Sequence, residues 1–481
     1  MKKSFLLSLF LLLSLTPPVL AEEIIPLNQK EIADLVGPSV VKIIQKVKGE
    51  AEIPAFKIDF NNLAVSIKED EAPTKVPIDD YFFGSGFIVS PDGFIMTNSH
   101  VVSYQTVKNL IASDFIMPAI SEGFDSLSEE ELTKLGEKQD AITKFGEEIV
   151  NYVLDKSKFN LEKSVVVLNP GSRKEDSQSL FEEGIPTKIV SVNDDFYKDN
   201  KDVAILKIEE NNLPAISLGK SENITTGSRV FIMGYPTTAE LNSKGLVNSS
   251  FTGGIVSALK DSIDRSFKII ETDAKISKGS SGGPLVDEKG QVIGLVTFIT
   301  GGATKEDGDS FAFAVPIDIV GKVIAEKMLI SGDSPAFSTG NYNDHFLSGL
   351  SFFNKNRCKE AVKEFDLAKE GNNEKFSATR FLVPYQKKCQ ELIQSGQSID
   401  SPLQIFLEEM KDSKKMIWFG VGFGVFSFLI GSSYTYRLRK RIKKDEEELD
   451  NVEKYLHLNL EDGTPMKEED KLEKLKPKIK G

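Results

Sequence analysis

Apolar positions fall into short β-branched runs over two stretches, about 36–102 and about 164–320, and nearly every run is closed by Gly, Asn, Asp or Pro. "SVVKII", "SGFIVSPDGFIMTN", "KSVVVL", "TKIVSV", "DVAILKI", "SRVFIMG", "GGIVSA", "KIIET", "QVIGLVTFIT" and "FAFAVP" each have strand length and strand composition. Many short strands at this spacing predict a mainly β fold, a barrel or sandwich, rather than alternating βα units. One stretch breaks the pattern. Residues about 104–163, including "SEEELTKLGEKQDAITKFGEEIVNYVLDKSKF", carry a helical period and a high density of charge, which predicts a helical insertion.

From 341 the period becomes helical again. "HFLSGLSFFNKNRCKEAVKEFDLAKEGNN" sets Gly349, Phe352, Ala361, Phe365 and Ala368 at the small and aromatic positions of a tetratricopeptide-type helix pair, and a further helix follows around 375–394. A single repeat lacks the neighbours that ordinarily bury its faces, so a plain helical hairpin and a partner-gripping repeat stand as alternatives. The segment 336–395 is read as TPR-like, and 396–415, with "SGQSIDSP", as a linker.

Two longer apolar runs change the picture. The N-terminus has Lys2 and Lys3, an apolar run from Phe5 to Leu15 and small residues up to Ala21, the make-up of a signal peptide over 1–21. Residues 416–436, "MIWFGVGFGVFSFLIGSSYTY", contain no charge and are long enough for a single C-terminal span of a bilayer. Six basic residues, Arg437, Arg439, Lys440, Arg441, Lys443 and Lys444, follow it, which places the charged tail 437–481 in the cytoplasm, as a helix start followed by disorder. The expected location is a bacterial inner membrane with the bulk of the chain in the periplasm or an equivalent extracytoplasmic space.

Composition then excludes some functions. A length of 481 residues predicts several domains, and a net charge of −13 argues against nucleic acid as a partner, since phosphate contacts need a basic face. Only two cysteines occur, Cys358 and Cys389. Export allows a disulfide between them, with two buried free thiols as the alternative. Neither has a His or second Cys at metal-ligand spacing, so no metal is expected.

The remaining chemistry centres on "KGSSGGPLV", 278–286, where two serines stand side by side among glycines. A serine nucleophile needs a base that takes its proton near neutral pH, and the chain holds three histidines. His457 lies across the expected membrane and His345 begins the helical segment, which leaves His100 at the end of the strand in "GFIMTNSHVVS". A carboxylate must orient such a base. Asp202, in "NKDVAILKI", is followed at once by a strand, whereas Asp194, Asp195 and Asp199 sit in the preceding loop.

Taken in order, "GSGFIVSPDGFIMTNSHVV", "DVAILKI", "TGGIVSA" and "ETDAKISKGSSGGPLV" resemble the trypsin-like serine proteases of the HtrA/Deg branch, and the upstream "LVGPSVVKI" resembles that branch's entry segment. The resemblance covers roughly 33–325 and implies a trypsin-like double β-barrel over 22–335. It implies His100 as general base, Asp202 as its orienting partner and Ser281, the third residue of Gly-x-Ser-Gly-Gly, as nucleophile. The N–H groups of Gly279 and Ser281 would then receive the oxyanion, and Ser280 would face away. Residues before the nucleophile and along "GLVTFIT" would line the primary substrate pocket, namely Lys275, Ile276, Val296, Thr297 and Phe298. An apolar pocket of this kind suits aliphatic side chains.

Two features depart from the family. A PDZ domain usually follows the catalytic domain there, and here the following segment is helical. His100 and Asp202 stand about a hundred residues apart, against a few dozen in the family, because of the insertion. The resemblance implies a membrane-tethered extracytoplasmic serine endopeptidase acting on protein or peptide substrates, unfolded or damaged ones above all, without a cofactor. Related proteases often form trimers, and the helical segment offers a docking place for a partner. The competing reading is an idle trypsin-fold scaffold that binds partners through the helical segment.

Overall fold

In the computed structural model the described residues are 27–129, 139–169, 171–174, 176–236, 245–246, 248–300, 311–331, 337–370, 373–376, 378–410 and 413–460. The expected signal peptide lies outside them. The chain divides into two units, Met1–Ser398 and Ile399–Gly481.

The first unit begins with α1 (Gln29–Val36), whose N-terminus is closed by a reciprocal capping box between Asn28 and Glu31. Strands β1 (Val40–Ile53), β2 (Phe56–Asp59), β3 (Ala64–Ile67), β4 (Thr74–Ile88) and β5 (Phe94–Thr97) follow. The helices α2 (Ser99–Val102), α3 (Gln105–Ile111), α4 (Met117–Asp125) and α5 (Gln139–Lys156) come next, with a π-type turn over Ala112–Ile116. The chain returns to the sheet through β6 (Lys158–Leu168), β7 (Arg173–Lys174), α6 (Ser177–Glu183), β8 (Ile185–Pro186), β9 (Lys188–Val192), α7 (Phe196–Asp199) and β10 (Ala204–Lys207). Seven of these strands form one sheet in the order β8-β6-β1-β4-β5-β10-β9.

The second half comprises β11 (Arg229–Gly234), β12 (Gly245–Leu246), β13 (Ser250–Asp261), β14 (Lys268–Thr272), β15 (Pro284–Val286), β16 (Val292–Thr300) and β17 (Phe311–Pro316). Six of them close a barrel, β11-β13-β14-β17-β16-β15, followed by α8 (Ile317–Ser331). The expected two β halves with helical parts are present, the first as a seven-stranded sheet and the second as a closed six-stranded barrel.

Burial on both faces explains why the strand runs read as continuous apolar stretches. Val40 and Ile44 of β1 enter the core shared by the two halves, together with Phe231, Met233 and Leu295. Val41 and Ile43, one residue out of phase, enter the interior of the first sheet with Ile95, Val101 and Leu206. The closed barrel has its own interior around Ile232, Ile270, Leu285 and Val296.

The insertion is a packed element with its own core. β1 and β4 pair over fourteen residues, from Val40 with Phe87 to Ile53 with Thr74, so the ribbon runs well past the sheet. Val47, Ala51, Phe60 and Ile78 of the ribbon and its tip pack against Val107, Ile111, Ile116, Phe145 and Ile149 of the insertion helices. The helical reading of 104–163 ends early, because β6 already begins at Lys158 with alternating exposure along "KFNLEK".

Helices α9 (Asn341–Asn354), α10 (Cys358–Lys369) and α11 (Thr379–Gln394) pack around Phe346, Leu350, Phe365 and Tyr385. A Cβ on Gly349 would stand 2.4 Å from Cε1 of Phe365, so the small residue is what lets α9 and α10 approach. No disulfide joins Cys358 and Cys389, and neither thiol has exposed surface in this core. The disulfide alternative is therefore corrected; the thiols fill the core as small apolar groups. The face a lone repeat would expose is covered by α1, since Leu35 enters the same core and the Tyr342 and Tyr385 hydroxyls donate to the Asp34 carbonyl and carboxylate, each at 2.8 Å. Phe376 reaches the interior of the first sheet, and Gly340 N–H donates to Ala215 O at 3.0 Å, so these helices and the β halves belong to one unit.

The second unit contains α12 (Pro402–Met410) and α13 (Ser413–Leu460), the latter 48 residues long. Among the described residues no helix is long and apolar enough to cross a membrane. The side chains of 409–427, which hold most of the expected span, lie outside the described residues. The tail differs from expectation: helix continues through "KKDEEELDNVEKYL", where opposite charges at helical spacing, such as Lys444 with Glu448, support it.

Candidate active site

The antiparallel pairing of β5 with β10 sets Thr97 opposite Ala204. Three residues beyond Thr97 and two before Ala204, the chain leaves both strands at the same end, which brings His100 and Asp202 together across 102 positions of sequence. Asn98 Nδ2 donates to Asp202 O and Ser99 Oγ to Val203 O, both at 2.7 Å, and these two bonds fasten one segment to the other. His100 N–H donates to Asp202 Oδ1 at 3.0 Å, and Nδ1 meets Oδ2 at 2.5 Å. With Nδ1 carrying its proton toward the carboxylate, Nε2 is left with the free lone pair.

The turn that bears the histidine is held from several sides. Thr106 Oγ1, from the first insertion helix, donates to His100 O at 2.7 Å. Lys163 Nζ donates to Val102 O at 3.0 Å, and Gln45 Nε2 donates to Ser103 O at 3.1 Å. The carbonyls at the end of this short helix are thereby satisfied by side chains from three elements. The Phe196 ring stands 6.3 Å from the imidazole, tilted by 50°.

The serine loop comes from the other half. β15 pairs with β16, Pro284 opposite Leu295, and the pairing is prolonged by Gly282 N–H to Val296 O at 2.8 Å and Val296 N–H to Gly283 O at 3.0 Å. Ser281 therefore lies alongside Thr297, and its Oγ donates to Thr297 O at 2.7 Å. Thr297 Oγ1 in turn donates to Asp202 Oδ2 at 2.6 Å. One residue thus touches both the serine and the carboxylate. In this arrangement the Ser281 hydroxyl is directed to a carbonyl, and it must turn away from it to donate to His100 Nε2.

Gly279 has φ +96° and is the third residue of a turn closed by Ser280 N–H to Ser277 O at 3.0 Å, a backbone state that side-chain-bearing residues resist. Gly282, at φ +87°, has no room for a Cβ, which would stand 2.1 Å from Ser85 O. These two positions explain why the serine must be framed by glycines.

Charge completes the site. Burial disfavours the imidazolium, but the Asp202 carboxylate, through its charge and its hydrogen bond, more than offsets this, and His100 titrates above its ordinary 6.5. Burial likewise raises Asp202, yet His100 and the donors from Thr297 and the His100 backbone bring it below 3.8. The two shifts have opposite consequences for stability and for base function. The histidine's contribution to stability is full below about 6.5 and is lost as pH rises through its folded value; the aspartate's is present above 3.8 and lost as pH falls. A neutral base, by contrast, exists only above the folded value of His100. Peptide turnover is expected to show an acid limb in kcat/KM centred above pH 6.5, read from a pH profile over the folded range.

The residues expected to line a substrate pocket divide. Val296 has no exposed surface and belongs to the barrel interior, and Thr297 is 1% exposed with its hydroxyl spent on Asp202, so neither lines a pocket. Lys275 is exposed, and Ile276 is half-buried against the barrel core. The Phe298 side chain lies outside the described residues. No motif marks Ser85, whose hydroxyl donates to Gly279 O, Thr97, whose Oγ1 donates to Ser85 O, or the bond from Thr297 Oγ1 to Asp202. Their one signal is a lone hydroxyl residue set in an apolar or glycine-rich strand.

The profile of the trypsin-like peptidase domain family matches residues 84–295, which include His100, Asp202 and Ser281. Residues 84–295 are thus similar to a trypsin-like peptidase domain. The domain is similar to a protein of Halomonas elongata described as a periplasmic serine endoprotease, DegP-like, with 31% identity over 239 residues, 49% of this chain and 33% of that protein. Serine protease HTRA1 of Xenopus tropicalis is 26% identical over 336 residues, 67% of this chain and 54% of that protein. The chain thus spans between about a third and a half of the length of these two relatives. A solved structure titled HtrA-type protease AlgW with decapeptide covers 63% of this chain and 68% of its own, at 19% identity and a TM-score of 0.34.

Proposed function

We propose that the chain is an extracytoplasmic serine endopeptidase of the HtrA type. Ser281 attacks the scissile carbonyl, His100 takes its proton through Nε2 and returns it to the leaving amine, and Asp202 holds the imidazole. The N–H groups of Gly279 and Ser281 receive the oxyanion, and water then hydrolyses the acyl-enzyme with His100 again as base. The observation that carries this reading is the chain of bonds from Thr297 to both Asp202 and Ser281, with His100 on the same carboxylate. An idle scaffold has no use for a buried carboxylate satisfied in this way.

Unfolded or damaged proteins are the proposed substrates, with aliphatic side chains preferred at the cleavage site. The leader-like N-terminus and the charge-free run 416–436 support export and a membrane tether, with the tail in the cytoplasm. The name of the Halomonas relative agrees with the periplasmic half of this reading. Incubating the full chain with a reduced, carboxymethylated protein and with its native form tests the substrate class. Cleavage of the unfolded form at ten or more times the native rate is expected, and equal rates would count against selection for unfolded chains.

A further inference from the structure

Ser85 belongs to β4 of the first half, has no exposed surface, and makes its hydrogen bonds outside its own strand pair. Opposite Lys42 in the ladder, its N–H and C=O turn away from β1. The N–H donates to Ser281 O at 2.8 Å, and the carbonyl accepts from Thr97 Oγ1 at 2.7 Å. Its hydroxyl donates to Gly279 O at 2.6 Å and accepts from Tyr235 N–H at 2.8 Å. A single buried residue of one half therefore grips the serine loop of the other half at the carbonyls on both sides of Ser280 and Ser281.

From this placement we infer that Ser85 is a positioning residue for the oxyanion donors, a role that rests on the peptidase reading. The two donors are the N–H groups of Gly279 and Ser281. Fixing Gly279 O holds the glycine in its left-handed state, and fixing Ser281 O holds the next peptide, so the Ser280–Ser281 peptide between them has little freedom to rotate. Preorganised donors act because they need no rearrangement as charge develops on the substrate oxygen. Without the hydroxyl, Gly279 O and Tyr235 N–H lose their partner inside a buried site, and the loop is free to exchange peptide orientations. The Ser85 backbone bonds remain in an alanine variant, so the change isolates the side chain.

The test compares full-length wild type with Ser85→Ala. Removing one oxyanion donor outright costs about 10²–10³ in kcat, so loosening the loop that carries them is expected to lower kcat by about 10- to 100-fold with KM within about twofold. Affinity for a peptide boronate, which forms the tetrahedral adduct, should fall in parallel, and amide exchange should quicken within 277–283 and not across the unit. A kcat within about threefold of wild type, or faster exchange spread throughout the unit with kcat loss tracking the folded fraction, would overturn the inference. Where Ser85→Ala does not accumulate folded, Ser85→Cys, a weaker donor of similar shape, is read the same way. A wild-type chain that turns over no substrate defeats the peptidase reading instead, and the exchange comparison then still decides whether the Ser85 hydroxyl holds the loop.

Discussion

Replacing Ser281 with alanine is expected to lower kcat for peptide hydrolysis by about 10⁵- to 10⁶-fold, while Ser280→Ala stays within a few-fold of wild type. The two hydroxyls differ in place, not in chemistry. Ser281 is half-buried, bonded to Thr297 O, and part of the loop whose partner strand leads to Asp202. Ser280 is 5% exposed, and its backbone closes the turn on Ser277. Nothing about Ser281→Ala should disturb the fold, since the lost bond is a single hydroxyl at a partly open position. Steady-state turnover of a peptide ester and an amide, with urea unfolding as the control, separates loss of chemistry from loss of structure. Equal losses at both serines would contradict the assignment.

Asp202→Asn is expected to cost about 10⁴-fold in kcat at neutral pH. The substitution keeps size and burial but replaces an acceptor-only group by one that also donates. Asp202 accepts from His100 N–H, His100 Nδ1–H and Thr297 Oγ1, so every bond it makes is an accepted one. An amide nitrogen turned to the imidazole would make Nδ1 the acceptor and leave the proton on Nε2, where it blocks the base. Removing the negative charge also removes what raises His100, so any residual activity should show its acid limb at lower pH than wild type. Both readouts come from one pH series of kcat/KM. A variant with the wild-type acid limb would mean that Asp202 does not set the titration of His100.

Much of this site could be read along the chain because its parts are local. His100 follows β5 by three residues, Asp202 precedes β10 by two, and the serine loop runs directly into β15, so each carries its context within a few residues. The joints between them are tertiary. Thr297 was expected to face substrate, and only the seam between the two halves shows its hydroxyl on Asp202. Ser85 opens the strand run "SGFIV", and only the serine loop laid against it shows its hydroxyl on Gly279 O. The long β1–β4 ribbon was hidden for another reason: "KGEAEIPAFKIDFNNLAVSIKED" alternates charged with apolar residues, and its apolar half is buried only because the insertion helices supply a second surface. The same dependence on partners applies to Cys358 and Cys389, which lie buried among α9, α10 and α11 without a disulfide between them. The continuation of α13 to Leu460 rests on charge pairing along one helix, a weaker signal than an apolar stripe.

Every role assigned to His100, Asp202, Thr297 and Ser85 depends on Ser281 being a nucleophile activated within this fold. The most direct measurement is covalent labelling of the full-length chain in membranes or detergent with a fluorophosphonate, with the adduct located by peptide mass spectrometry. A single adduct on Ser281 is expected, absent from Ser281→Ala, retained in Ser280→Ala, and formed more slowly below pH 6.5 than above it. A folded wild-type chain that takes up no label, or takes it up at another serine, would contradict it.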